Sequence, residues 1–466
     1  MSGRDRWDVT SEPLRRGPIR RASGRDRWDA PPEPVRRGPI RRASGPSRPS
    51  AVSSRQTSLL ANPSAYKRDA HDPDYVLLVT VVALTAIGIL MVYAASAVPS
   101  YAASQNTFQL VAPQVLAGLL GFAAMAVLMN LDYRYLRVAS VPLAVTALVL
   151  LVIVVAPLPG PLRNLSVTHN GSTRWIHLGP LPDISPAEIA KLALVVYLSH
   201  WLAARGLGIR SFWKGSVAFA IIVVPFLLLV GKEPDLGTFA VLILIAFSLY
   251  FAAGARLLHA ALAVVAGGAG GLFLMLDVGH YPLDRIQCLL DPWPNRLDAC
   301  YQTVQGLQAL GAGGLFGVGL GNDRIVVPQD ANDFIFSVIA QELGLAGSAV
   351  VIALFIAFAY AGIRTALRAP DTFGGLMAAG ITAWICFQAF INIGVVVLVV
   401  PVTGITLPFV SAGGSSLTVS LAAVGILLSI SRETVERGWI SASADSGRGY
   451  GGTYIPGSRR RSVAAG

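Results

Sequence analysis

Stretches of roughly 20 predominantly apolar residues recur along this chain, each long enough to cross a hydrocarbon core about 30 Å thick. No other feature constrains the fold as strongly. Ten segments are predicted to span a membrane: 75–98, 109–129, 138–157, 186–203, 215–231, 236–253, 257–277, 334–360, 375–400 and 410–431. The fourth is the weakest, because "PAEIAKLALVVYLSHWLA" opens with Glu188 and Lys191. Composition agrees, with 53% hydrophobic and only 14% charged residues among 466, where soluble domains carry about 25% charged. The expected fold class is therefore all-α: a polytopic integral membrane protein of ten transmembrane helices, with a large extracytoplasmic loop between the seventh and eighth.

The net charge of +11 is unevenly placed. Residues 1–70 hold 16 Lys and Arg against 7 Asp and Glu, residues 432–466 hold 6 against 3, and the rest of the chain is near neutral. Basic character thus belongs to the two tails, which removes the support for a nucleic-acid partner and suits anionic lipid at a cytoplasmic face. The N-terminal tail is a tandem duplication, "SGRDRWDVTSEPLRRGPIRRA" followed by "SGRDRWDAPPEPVRRGPIRRA". Rich in Arg, Pro and Gly and without apolar periodicity, it is expected to be disordered, as is 436–466, leaving 71–435 as the membrane domain. The bias of Lys and Arg toward alternate short loops puts both termini in the cytoplasm.

That orientation places the segment 278–333 outside. It is expected to be a loop of about 56 residues, a length that is uncommon unless functional. It contains "LLDPWPNRLDACYQ", with Asp291, Asn295 and Asp298, and the glycine-rich "GAGGLFGVGLGN". The glycines resemble a phosphate cradle, but no Gly-Lys-Ser/Thr follows them, so nucleotide binding is not supported. Cys288 and Cys300 share this loop, and outside the cell they can form a disulfide. Charges near bilayer depth need an explanation, since each costs roughly 2.5–3.5 kcal/mol on insertion scales. Glu188 and Lys191, three apart, share a helix face and form either a structural ion pair or the floor of an outward-facing polar cavity. In "GKEPDLGT", Lys232, Glu233 and Asp235 serve either a tight turn or the mouth of that cavity. Arg174 beside Trp175 suits an interface and phosphate recognition.

Taken together, "STRWIHLGPLPDISPAEIAKLAL", "KEPDLGT", "YQTVQGLQALGAGGLFGVGLGN", "DFIFSVIAQELGL" and "PVTGITLPFVSAGGSS" resemble the SEDS family of shape, elongation, division and sporulation proteins over about residues 75–435. "FAAGA" and "NIGVVVLVVPVTGI" look nearer to its FtsW branch, and Lys232 nearer to RodA. The resemblance implies a glycosyltransferase that polymerises lipid II into peptidoglycan strands in the bacterial plasma membrane. It also implies a class B penicillin-binding protein as partner, alongside other divisome or elongasome membrane proteins. Attack of a sugar 4-hydroxyl on a sugar linked to undecaprenyl pyrophosphate needs a carboxylate base and cations for the pyrophosphate.

The family's second Asp in its Asp-Pro-x-x-Asp-Pro pattern is the essential carboxylate, and here that position is Asn295, which cannot act as a base. Asp298 supplies the carboxylate from a shifted turn, or Asp291 does, or catalysis is impaired. On the same resemblance Arg174, Lys191 and Lys232 bind the pyrophosphate, Glu188 and Asp235 hold those cations, and Trp175, Asp333 and Ser415 complete the substrate-binding set. A divalent cation, Mg or Mn, at the carboxylates is compatible with this chemistry, although no sequence pattern specifies one. A lipid II flippase and a non-catalytic scaffold are the alternative readings.

Overall fold

The computed structural model describes residues 72–434, apart from 157–165, 170–171, 178–182, 234, 271–280, 323–324, 326–330 and a few positions between 257 and 266. The tails expected at 1–70 and 436–466 lie outside the described residues. In chain order the elements are α1 (Tyr75–Ser104), α2 (Val111–Asn130), α3 (Leu136–Val155), β1 (Ser166–His169), β2 (Ser172–Ile176) and α4 (Pro186–Arg205). There follow α5 (Ala218–Lys232), α6 (Leu236–Ala252), α7 (Tyr281–Leu290), α8 (Tyr301–Ala312), α9 (Ile335–Arg368), α10 (Thr372–Val396) and α11 (Gly414–Ser431).

Among the described residues eight helices are long and apolar enough to cross a membrane, and the 17-residue α6 is a shorter apolar helix beside them. Nine of the ten expected segments therefore have a helix. The other, 257–277, lies partly outside the described residues, and those of its residues that are described are helical. Hydroxyls inside the helices fold back onto their own backbone: Thr85 donates to the Val81 carbonyl (2.8 Å), Thr365 to Ala361 (3.0 Å) and Thr382 to Ala378 (2.7 Å). This satisfies side chains that would otherwise face hydrocarbon unpaired. Helix α10 packs against α4, α6, α9 and α11, and its Trp384 is fully buried. Helix α11 lies along α2 so closely that a Cβ at Gly425 would sit 2.6 Å from the Met125 carbonyl oxygen, the close approach that small residues allow between membrane helices.

One expectation is corrected. The segment 278–333 is not one long loop, because it folds into α7 and α8 around a short turn. Its helices escape a sequence reading because they are only 10 and 12 residues long and interrupted by Pro and Gly. The region before α4 holds a two-stranded antiparallel hairpin, β1–β2, with Val167 opposite Trp175.

The glycine-rich stretch after α8 has a structural task. Helix α9 is broken at Gly344, whose backbone is far from helical (φ 68°, ψ −164°). A break strands the carbonyls before it and the amides after it, and in a membrane protein these must find partners. The stretch 313–319 supplies four: Val318 N–H donates to the Gln341 carbonyl (2.9 Å) and Gly319 N–H to Glu342 (3.1 Å). In return Leu345 N–H donates to the Gly314 carbonyl (2.9 Å) and Ala346 N–H to Leu315 (3.0 Å). Gly317 sits at the closest point, with φ +80° and a hypothetical Cβ only 2.0 Å from the Glu342 oxygen. Glu342 also accepts from Gly321 N–H through its side chain (3.2 Å).

At the opposite end of the bundle the connections are tied by charge. Asp371 accepts from Tyr133 Oη (2.9 Å) and pairs with Arg137 (2.6 Å), and Arg134 pairs with Glu433 (2.6 Å).

The docking of the glycine stretch predicts a contrast between two of its glycines. Gly317→Ala must undock the loop and should cost more than about 2 kcal/mol. Gly314→Ala, with positive φ but open space around it, should cost only about 1–2 kcal/mol. Thermal unfolding of the two variants in lipid nanodiscs measures the difference.

Candidate active site

Five charged side chains converge at the end of the bundle that carries the hairpin, α7 and α8. Strand β2 brings Arg174, whose Nε donates to the Glu233 carbonyl (3.2 Å). Glu233 caps the C-terminal end of α5 and is 2% exposed. Asp235, also buried, opens α6 by accepting from Thr238 N–H (3.0 Å). Asp333 precedes α9, and its backbone carbonyl accepts from Asn392 Nδ2 (2.7 Å). Helix α7 adds Arg285, which donates to the Val402 carbonyl on the connection between α10 and α11.

Two of these carboxyls register their surroundings. Burial pushes Glu233 up to about 9, with the charge of Asp235 adding to the rise and Arg174 opposing it. Removal from water also lifts Asp333, to about 6; Asp235 reinforces that shift while Arg174 and Arg285 oppose it. At neutral pH, Glu233 is therefore protonated.

Behind this cluster a ladder of polar groups runs down α10. Trp384, Gln388 and Asn392 are four apart and share one face. Asn392 Nδ2 also donates to the Ile405 carbonyl (2.8 Å), and Gln388 Nε2 donates to the Thr406 carbonyl (3.0 Å). Lys191, 1% exposed, donates to Glu188 (2.8 Å) and to Gln388 Oε1 (2.7 Å), and its ammonium lies 5.3 Å from the centre of the Trp384 ring. Glu188 and Lys191 are thus an ion pair enclosed by protein, one helical turn along α10 from the Asn392 that holds Asp333. Ser415 accepts from the backbone N–H of Ser185 (3.3 Å) and so ties the start of α11 to that of α4. Lys232 is exposed at the end of α5, and Trp175 is half-buried beside Arg174.

Asp291 and Asp298 stand apart from the buried cluster, on an exposed turn between α7 and α8. Asp291 Oδ1 accepts from Trp293 N–H (3.2 Å), and the Asn295 carbonyl accepts from both Asp298 N–H and Cys300 N–H (3.1 Å each). The turn is closed by a disulfide between Cys288 and Cys300. Among the described residues no group of three or more His, Cys, Asp or Glu side chains is placed to hold a metal ion.

The sequence points to Arg174, Asp235 and Asp333, and to Glu233 as one of the charges of a turn or cavity mouth, but assigns no role to Arg285, Gln388 or Asn392. Arg285 left little signal, being one cation in a ten-residue helix. Gln388 and Asn392 had a legible one: two amides four apart in the apolar run "CFQAFINIG" share a face and call for partners.

A bundle of apolar helices with a charged, partly enclosed site at one end defines a polytopic membrane protein that acts on something presented at the membrane surface. The sequence signature of the cell cycle protein family of FtsW, RodA and SpoVE matches residues 75–436, and the chain belongs to that family. It is 41% identical over 363 residues to stage V sporulation protein E of Bacillus subtilis, covering 77% of this chain and 97% of that one. It is 38% identical over 365 residues to a probable peptidoglycan glycosyltransferase FtsW of Geobacter sulfurreducens, covering 77% and 95%. The fold matches a chain in a peptidoglycan synthase complex that coordinates polymerization and crosslinking, with a TM-score of 0.62, 29% identity and coverage of 77% and 98%.

The raised Glu233 carboxyl carries a stability prediction with a definite sign. Its folded value lies above the ordinary 4.5, so the stability it contributes is fully present below about 4.5 and is lost progressively as pH rises toward about 9. Glu233→Gln has no proton to lose. It should match the wild type near pH 4.5 and exceed it by on the order of 1–3 kcal/mol at pH 8. Melting temperatures measured across that range check this, and a constant offset between the two proteins would contradict it.

Proposed function

We propose that this protein polymerises lipid II into glycan strands as a peptidoglycan glycosyltransferase. The observation that carries the proposal is the convergence of Arg174 and Arg285 with Glu233, Asp235 and Asp333, from five separate elements, at one end of a membrane bundle. A lipid-anchored diphosphate sugar presents its charge at that depth. The end in question faces outward, both termini are cytoplasmic, and the membrane is the bacterial plasma membrane.

In this reading the diphosphate is met by Arg174, Arg285 and the exposed Lys232, whose charges stabilise the leaving group as the bond to the sugar breaks. A carboxylate on the 291–298 turn takes the proton from the attacking 4-hydroxyl as the new glycosidic bond forms. Asp298 is the first candidate, since Pro292 restricts Asp291 to extended backbone that shapes the turn. Glu188 neutralises the buried Lys191, and that pair, through Gln388, steadies the face of α10 on which Asp333 rests. Trp175 and Ser415 hold the hairpin and the start of α11 beside the site. The strands would be cross-linked by a class B penicillin-binding protein working beside this chain, with other divisome or elongasome proteins in the same membrane.

Asn295 favours a second reading. An amide where the family carries its essential carboxylate suits a scaffold that has kept the fold and lost the base.

Purified protein, given lipid II and its cognate transpeptidase, decides between the two. Asp298→Ala should lower glycan synthesis by about 10²-fold or more, Asp291→Asn should be milder, and Asn295→Asp should raise activity or leave it unchanged. Activity only in Asn295→Asp would establish the scaffold, and full activity in Asp298→Ala would move the base elsewhere.

A further inference from the structure

The turn that bears Asp291 and Asp298 has almost no core of its own. Leu290 and Leu297 are 81% and 84% exposed and Trp293 is 53% exposed, so the apolar residues that could pack it down point away. From Ile286 to Cys300 the buried side chains are Cys288 and Cys300, at 3% and 0%, together with Pro292. The covalent link between the two cysteines, with Cα atoms 5.4 Å apart, stands where a hydrophobic cluster would otherwise be. A cross-link of this kind restricts the conformations of the chain it encloses. Its sulfurs are enclosed, which marks it as a permanent staple and not an exposed, readily exchanged switch.

The link also has a direction. Cys288 lies three residues after Arg285 in α7, hence on the same face, and Arg285 is anchored to the Val402 carbonyl within electrostatic reach of Asp333. On the far side Cys300 opens α8, and its N–H shares the Asn295 carbonyl with that of Asp298. The chain of constraint therefore runs from the charged cluster through Arg285, Cys288 and Cys300 to the backbone of Asp298.

We propose that the Cys288–Cys300 disulfide is a positioning element for the reaction, which holds the carboxylates of the 291–298 turn in register with the arginine-bearing cluster. This rests on the glycosyltransferase reading above. Misplacing a reacting group by about 1 Å costs on the order of 10²-fold in rate, and opening the link frees the turn to move by at least that much. The loss falls on turnover, because the diphosphate is held by the arginines and Lys232, whose charges remain when the link is opened.

The test compares wild type, Cys288→Ser/Cys300→Ser, and folded wild type treated with a phosphine until thiol labelling shows the enclosed pair to be open, all in lipid bilayers. Cys386→Ser serves as the background, since it removes the free thiol that would compete in labelling and reoxidation. Opening the link should lower kcat by about 10-fold or more while KM for lipid II stays within about twofold, and reoxidation of the reduced protein should restore kcat. Hydrogen exchange should quicken over 289–301 and stay unchanged over 335–343. A reduced or doubly substituted protein with wild-type kcat would overturn the proposal. Should the double variant not fold, the protein reduced after folding carries the comparison. Should oxidised wild type make no glycan, the function assigned above fails instead, and exchange alone decides: faster exchange over 289–301 sustains the positioning role, and unchanged exchange sinks it.

Discussion

A polar group inside a bilayer has no water to fall back on, and the rest of this structure follows from how that demand is met. The sharpest case is the break in α9. Gly344 ends one half-helix and begins another, and the glycine stretch after α8 takes up the four backbone groups that the break would leave stranded. Because the stretch is bonded on both sides of the break, it fixes the short first half of α9, and Asp333 stands immediately before that half. The glycines thus act by letting backbone meet backbone, with no ligand required.

The same demand organises the charges. Lys191 can sit fully buried only because Glu188, Gln388 and the Trp384 ring surround it. Gln388 and Asn392 in turn bond the chain between α10 and α11 at Thr406 and Ile405. Toward the surface the demand relaxes, and there the structure gathers two arginines and three carboxyl groups, of which Glu233 and Asp333 are shifted upward by burial and by the charge of Asp235. Net burial of so many ionisable groups opposes stability, which is the mark of an arrangement kept for binding or chemistry.

Much of this was legible in the sequence. A run of about 20 apolar residues is its own evidence for a spanning helix, and nine such runs have a helix close to the expected place. The helix that begins at Pro186 was the weakest by hydropathy because Glu188 and Lys191 interrupt it, and the fold shows the interruption to be an internal pair. Arg174, Asp235 and Asp333 could be read from motif resemblance. Glu233 was legible only as one charge of a turn or cavity mouth and Arg285 not at all, because their importance comes from contacts between elements far apart in the chain. The short helices α7 and α8 escaped for another reason: 10 and 12 residues hold too few turns for a period to stand out. The pairing of Cys288 with Cys300 was legible as a possibility of the loop. Its place as the core of an otherwise uncovered turn was not, since exposure of Leu290 and Leu297 is a property of the fold.

The central claim is that the charged cluster receives a lipid-linked diphosphate. The most direct measurement is the affinity of undecaprenyl diphosphate, with undecaprenol as the uncharged comparison, for wild type, Arg174→Ala and Arg285→Ala in nanodiscs. Each substitution should weaken diphosphate binding by about 10-fold or more, the loss of a charge-assisted contact of about 1.4 kcal/mol or greater, and leave undecaprenol unaffected. Diphosphate binding at wild-type strength in both variants would contradict the account.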